Sequence, residues 1–174
     1  MDEQELRQFL NTTSQNRLDF RKSFRAFGDS CKSHHFYSQQ ILDKVMGDSI
    51  YDRYFEKGYL AYHDSLRTRM AVNQQFFQTQ WTNTKPVVKY YERLDMDFDQ
   101  TLELMKSENL SERAGLDSLR QIASKMNSMI GKIDSMQNRS RTVYWEFRKD
   151  YDEYEYNFKN LKALYSNKIN STKK

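Results

Sequence analysis

Proline occurs once in this chain, at Pro86, and glycine only five times. Both fall far below their usual share, so few turns are available and few connections can be built. Valine and isoleucine together number eleven, which leaves little apolar β-forming material for a sheet. The single cysteine, Cys31, excludes an intramolecular disulfide and any CxxC metal or redox motif. No stretch reaches the roughly 20 apolar residues that a spanning helix needs. The opening "MDEQELRQFL" lacks the basic and apolar regions of a signal peptide. The localisation expected by default is cytoplasmic, and extracytoplasmic if a leader has been removed.

What remains is a chain of 174 residues that is 30% charged and 37% hydrophobic, a composition that supports one helical domain with a modest core. The net charge of +4 is unevenly placed. Residues 85–118 are net acidic and residues 119–174 net basic, an arrangement suited to pairing within one fold or between protomers.

The stretch "YWEFRKDYDEYEYNFKN" at 144–160 shows how the chain is organised. Tyr144, Phe147, Tyr151, Tyr154 and Phe158 are spaced by alternating steps of three and four, and Leu161 and Tyr165 continue the series. A strand would alternate with period two; this spacing is one stripe of a helix. The stripe runs backwards without a phase break through Ser140, Gln137, Ile133, Ile130, Met126, Ala123 and Leu119. Its mean step of about 3.5 residues is the coiled-coil period. Ser111 is placed to cap this helix, which is predicted over about 112–167. "QNRSR" at 137–141 interrupts the apolar seam as a hydrated defect or hinge. Tyrosine serves such a narrow bundle because it buries its ring while its hydroxyl stays in water.

A second stripe links Leu6, Leu10, Thr13, Arg17, Phe20, Phe24, Phe27, Cys31, His34, Ser38, Ile41 and Val45. Its phase continues across Gly28–Asp29–Ser30, which favours one helix over 2–46, and Asp2, Glu3 and Glu5 suit its N-terminus. Gly47 fits a helix C′ position, and Ser49 with Asp52 resembles a capping box. The third stripe starts at Phe55, Tyr59, Tyr62, Leu66 and Met70 and continues to Met105, with Pro86 inside it. The predicted fold is an all-α, elongated, antiparallel three-helix bundle of coiled-coil type. Its helices cover about 2–46, 49–107 and 112–167, the second being kinked or split near Pro86. Residues 1–174 form a single domain in this reading, with a frayed polar tail over 167–174.

Catalytic motifs are missing. No Glu-x-x-His pair, HExxH helix, phosphate-cradling glycine loop or G-x-S-x-G elbow occurs. Asp95, Asp97 and Asp99 begin like a calcium loop, but Gln100 and Lys106 stand where its glycine and bidentate glutamate belong. "HDSLRTRM" at His63 resembles the phosphotransfer segment of sensor kinases. Ser65 is inserted after Asp64, however, and Arg69 replaces the proline, so an ordinary surface histidine beside a carboxylate is the simpler reading. No metal or cofactor is expected.

Binding surfaces are the better candidates. Arg17, Arg21 and Arg25 form one row with Lys22 nearby, beside Phe20, Phe24 and Phe27. Such a face can lie on an anionic membrane, or it can be the solvated rim of a core helix. Arg139 and Arg141 begin a second basic cluster. Tyr51, Tyr54, Tyr90, Trp145 and Tyr156 lie off the stripes, as exposed anchors for a partner would. The leading expectation is a non-enzymatic scaffold, adaptor or assembly subunit that binds protein partners or itself. The alternative is a peripheral membrane module, since three long helices with basic faces resemble BAR-type modules in outline, without a shared motif. A phosphotransfer bundle using His63 ranks third. Nucleic acid is disfavoured by the small charge excess.

Overall fold

The computed structural model describes residues 3–172, and no strand occurs among them. Helix α1 spans Glu3–Gly47, α2 Lys57–Lys106, α3 Glu112–Leu164 and the short α4 Ser166–Ser171; a 3₁₀ segment, Asp48–Tyr54, joins α1 to α2. The chain is therefore an all-α helical bundle with three long helices. Asp2, one of the acidic residues expected to favour the first helix N-terminus, lies outside the described residues.

Three boundaries differ from the sequence reading. Gly47 has ordinary right-handed backbone (φ −62°), and the residues after it tighten into the 3₁₀ segment. The expected capping box does not form, because the Asp52 carboxylate is held by Arg67 instead. The second long helix therefore starts at Lys57, not near residue 49. Pro86 sits inside α2, which continues on both sides of it. Within the expected frayed tail over 167–174, α4 forms over Ser166–Ser171 and buries Ile169, while residues 173–174 lie outside the described residues.

The turn between α2 and α3 follows local rules. Glu108 adopts left-handed backbone (φ 59°), and the Leu110 N–H donates back to the Leu104 carbonyl at 3.1 Å. Ser111 then caps α3 by accepting from the Ala114 N–H at 3.3 Å. One turn later Gly115 leaves room for the Met105 side chain, which would have to shift if a Cβ were present.

Contacts divide the chain into two compact units. The first contains the chain up to Ser30 together with Thr82–Asn138. In it α1 and α2 run antiparallel, since Arg17 meets Asp99, Arg21 meets Asp95 and Phe24 stacks on Tyr91. Its core holds Phe20, Phe24, Tyr91, Leu94, Phe98, Leu119, Met126 and Ile133.

The second unit contains Cys31–Trp81 and the chain from Arg139 onward. Here α2 and α3 are antiparallel: Phe77 packs on Phe147, Arg69 pairs with Asp150, and His63 meets Phe158. α1 runs parallel to α3, with His34 at Ser140 and Lys44 at Glu155. The core includes Val45, Phe55, Leu66, Met70, Phe77, Phe147, Tyr151, Tyr154, Phe158, Leu161, Tyr165 and Ile169. Each fully buried aromatic or aliphatic side chain contributes roughly 1.5–3 kcal/mol of transfer free energy. This aromatic core accounts for the stretch at 144–160: its stripe faces inward and most of its charges face out, Asp150 being buried and paired with Arg69.

The seam through "QNRSR" remains helical. Ser140 is buried and lies 3.1 Å from His34 Nδ1, so a polar pair replaces an apolar contact at that level.

Candidate interaction surface

The basic row on α1 is partly neutralised inside the first unit. The Arg17 guanidinium donates to Asp99 at 2.7 and 2.8 Å and also pairs with Asp95; Arg21 reaches Asp95 as well. Burial alone would raise Asp95, but hydrogen bonds from both arginines outweigh it and hold its carboxyl below the usual carboxylate range. The Arg17 hydrogen bond lowers Asp99 in the same way. The acidic Asp95–Asp99 row is thus a partner for α1. Lys22 and Arg25 are exposed, and Arg21 also reaches solvent while it pairs with Asp95.

Of the second basic cluster, Arg139 lies over the Phe76 ring at 5.2 Å, and Arg141 is exposed. Arg148 donates to the Tyr37 hydroxyl and reaches Asp152 at 3.4 Å, so it ties α1 to α3.

The five off-stripe aromatics separate into two groups. Tyr51 and Tyr54 are half-buried against the core of the second unit. The Tyr51 ring meets Phe158 edge-on at 5.7 Å and carries the Lys162 ammonium at 4.5 Å. The Tyr54 hydroxyl lies 3.0 Å from that of Thr172. Trp145 and Tyr156, by contrast, are 73% and 69% exposed, and Tyr90 is also exposed. Trp145 and Tyr156 are eleven residues apart on α3, or three helical turns, which puts them on one outward row about 16 Å apart. Ile50, Val72 and Leu164 are further exposed apolar side chains of the same unit.

The same unit holds a polar network around the buried Arg67 that the sequence did not announce. Arg67, with a side chain only 5% exposed, grips both oxygens of Asp52 at 2.7 and 3.0 Å. It also donates to Asp64 at 3.2 Å and to the Tyr154 hydroxyl at 3.3 Å. Tyr154 in turn donates to Asp48 at 3.4 Å. Burial pushes the Tyr154 phenol up to about 12, and burial likewise raises Asp48. On a neighbouring face Lys44 donates to Glu155 and to the Tyr151 hydroxyl at 2.7 and 2.9 Å.

His63 does not occupy the surface position expected of it. It is 1% exposed and takes a core place, while Tyr59 and Tyr62 of the expected stripe are exposed. Its ring lies 4.9 Å from Tyr154, 6.2 Å from Phe158 and 6.3 Å from Phe55. Neither ring nitrogen has a hydrogen-bond partner. Burial, with Arg67 nearby, lowers its pKa, against a weaker opposing pull from Asp52 and Asp64. A phosphodonor needs a ring nitrogen that it can reach, and both nitrogens here are covered.

Among the described residues no group of three or more His, Cys, Asp or Glu side chains is placed to hold a metal ion, and no helix is long and apolar enough to cross a membrane. No protein family matches the chain, and no curated protein or solved structure is similar to it.

Proposed function

We propose that this chain works as a non-enzymatic scaffold or adaptor, a single helical bundle that binds a protein partner along an outward face of α3. The all-α fold is compatible with that role. The observation that carries the reading is the pair Trp145 and Tyr156, two large aromatics held in water on one row of a helix whose other side is a packed core. Tryptophan and tyrosine are frequent binding hot spots, and these two share one face of the helix. Arg141, Lys149 and Asp152 lie along the row, so it offers a partner charges of both signs. A second copy of the chain is one candidate partner.

The test is affinity capture from the native host, quantified by mass spectrometry, with wild type and a Trp145→Ala/Tyr156→Ala variant. Both side chains are exposed, so the variant retains its fold and melting temperature. A stoichiometric partner, or a dimer seen by sedimentation, is expected to be lost with the variant. Undiminished capture would reject this face.

The membrane reading has less behind it, because Arg17 and Arg21 are already paired with Asp95 and Asp99. Liposome flotation at low salt tests it. Binding that vanishes on changing Arg21 and Arg25 to glutamate would restore it, and no flotation dismisses it.

A further inference from the structure

His63 is buried against three rings, and neither of its nitrogens is hydrogen-bonded. Burying a polar group without a partner costs about 1–3 kcal/mol, and burying a charge costs more. What surrounds His63 is specific. The 3₁₀ connection supplies Asp48, Asp52 and Phe55; α2 supplies Asp64 and Arg67; α3 supplies Tyr154 and Phe158; and Tyr165, which precedes α4, packs on Phe55 at 5.7 Å. Lys44 of α1 acts on Asp48 from the other side.

We propose that His63 is an acid-sensitive latch: uncharged, it seats the connection 48–55 and α4 on the second unit, and on protonation it releases them. This goes beyond the scaffold reading and does not depend on it.

The geometry explains why release follows. An imidazolium presents two N–H donors, and the cage of Phe55, Tyr154 and Phe158 offers neither of them an acceptor. The nearest carboxylates, Asp52 and Asp64, are already held by Arg67. Arg67 also repels a second cation beside it. Drawing Asp52 away from Arg67 or moving the cage relieves the strain. The connection is the weakest wall. It is a single 3₁₀ stretch with no fully buried residue of its own, held by the Asp52–Arg67 and Asp48–Tyr154 bonds, by the half-buried Tyr51 and Tyr54, and by Phe55 after it. α4 rests on this connection and is tied to it through Tyr54 and Thr172. Undocking would bare Phe55, Phe158, Tyr165 and Ile169, an apolar surface present only in acid.

Hydrogen exchange read by mass spectrometry tests this, with rates corrected for the intrinsic effect of pH. In wild type, peptides covering 48–60 and 162–172 should lose protection about tenfold or more between neutral pH and about pH 5.5, while the rest of the chain changes little. His63→Phe keeps an aromatic in the cage and should abolish that local loss. An equal loss in His63→Phe, or a loss spread evenly over the chain, would overturn the latch. A second measurement needs no variant. The NMR titration of the His63 ring should fall below the ordinary imidazole range and coincide with exchange broadening of residues 48–60. Titration at the ordinary value, without change in those residues, contradicts the proposal.

Discussion

Arg67 and Asp52 lie fifteen residues apart and form a two-pronged pair, at 2.7 and 3.0 Å, that fastens the 3₁₀ connection onto the start of α2. The arginine is buried and the aspartate about a quarter exposed. Burial by itself would lower the guanidinium pKa, but the hydrogen bonds to Asp52 and Tyr154 outweigh it and raise it. Arg67 therefore keeps its charge in its buried position.

Removing Asp52 leaves Arg67 with only the exposed Asp64 at 3.2 Å and the Tyr154 hydroxyl at 3.3 Å. Asp52→Ala is expected to destabilise the fold by about 3 kcal/mol, because Arg67 keeps its charge in a site with little water. A double variant, Asp52→Leu with Arg67→Met, should recover much of that loss, since packed apolar side chains replace a buried ion pair at little cost. Urea unfolding of the three variants checks both statements. Equal destabilisation by the single and double changes would show that geometry, not stranded charge, is what matters.

Acid should weaken the first unit through Arg17. Its partners Asp95 and Asp99 have folded pKa values below their ordinary values, so they favour the folded state above the ordinary carboxylate pKa of about 4. That contribution is lost as pH falls from there towards the folded values. Asp48, raised by burial, works in the opposite direction. Melting temperature followed from about pH 6 to pH 3 should fall less steeply in Arg17→Gln than in wild type. Parallel curves would mean that other carboxylates dominate.

Glu108 carries a left-handed backbone at the end of α2, a conformation that costs a non-glycine residue about 1 kcal/mol. Glu108→Gly should raise stability by roughly 0.5–1 kcal/mol, because its side chain is exposed and contributes no packing. Thermal unfolding reads this directly. A lower melting temperature would place a useful contact on the glutamate that geometry does not reveal.

Much of the fold was legible because period is a local property. All fourteen positions of the seam from Leu119 to Tyr165 are buried or half-buried, as are all twelve from Leu6 to Val45. The third stripe lost phase at Tyr59 and Tyr62. Its start was anchored on Phe55, which lies before the helix, and a 3₁₀ segment turns the chain by a different angle per residue. The polar network was not legible, since Arg67, Asp52 and Tyr154 meet across three elements and no spacing rule links them. The interruptions at 28–30 and 137–141 did carry information. They lie beside the division between the two compact units, after Ser30 and Asn138. For the surface, reading which aromatics fall off the stripes separated candidates from core. It could not separate Tyr51 and Tyr54, which the connection folds back onto Phe158 and Thr172, from Trp145 and Tyr156.

The central claim is that the outward row of α3 meets a partner. Site-specific photocrosslinking tests it most directly, with a photoreactive phenylalanine placed at 145, at 156, and at the exposed control position Lys125. One discrete adduct shared by 145 and 156 and absent at 125 is the predicted result. No adduct at either position, or the same pattern at all three, would contradict it.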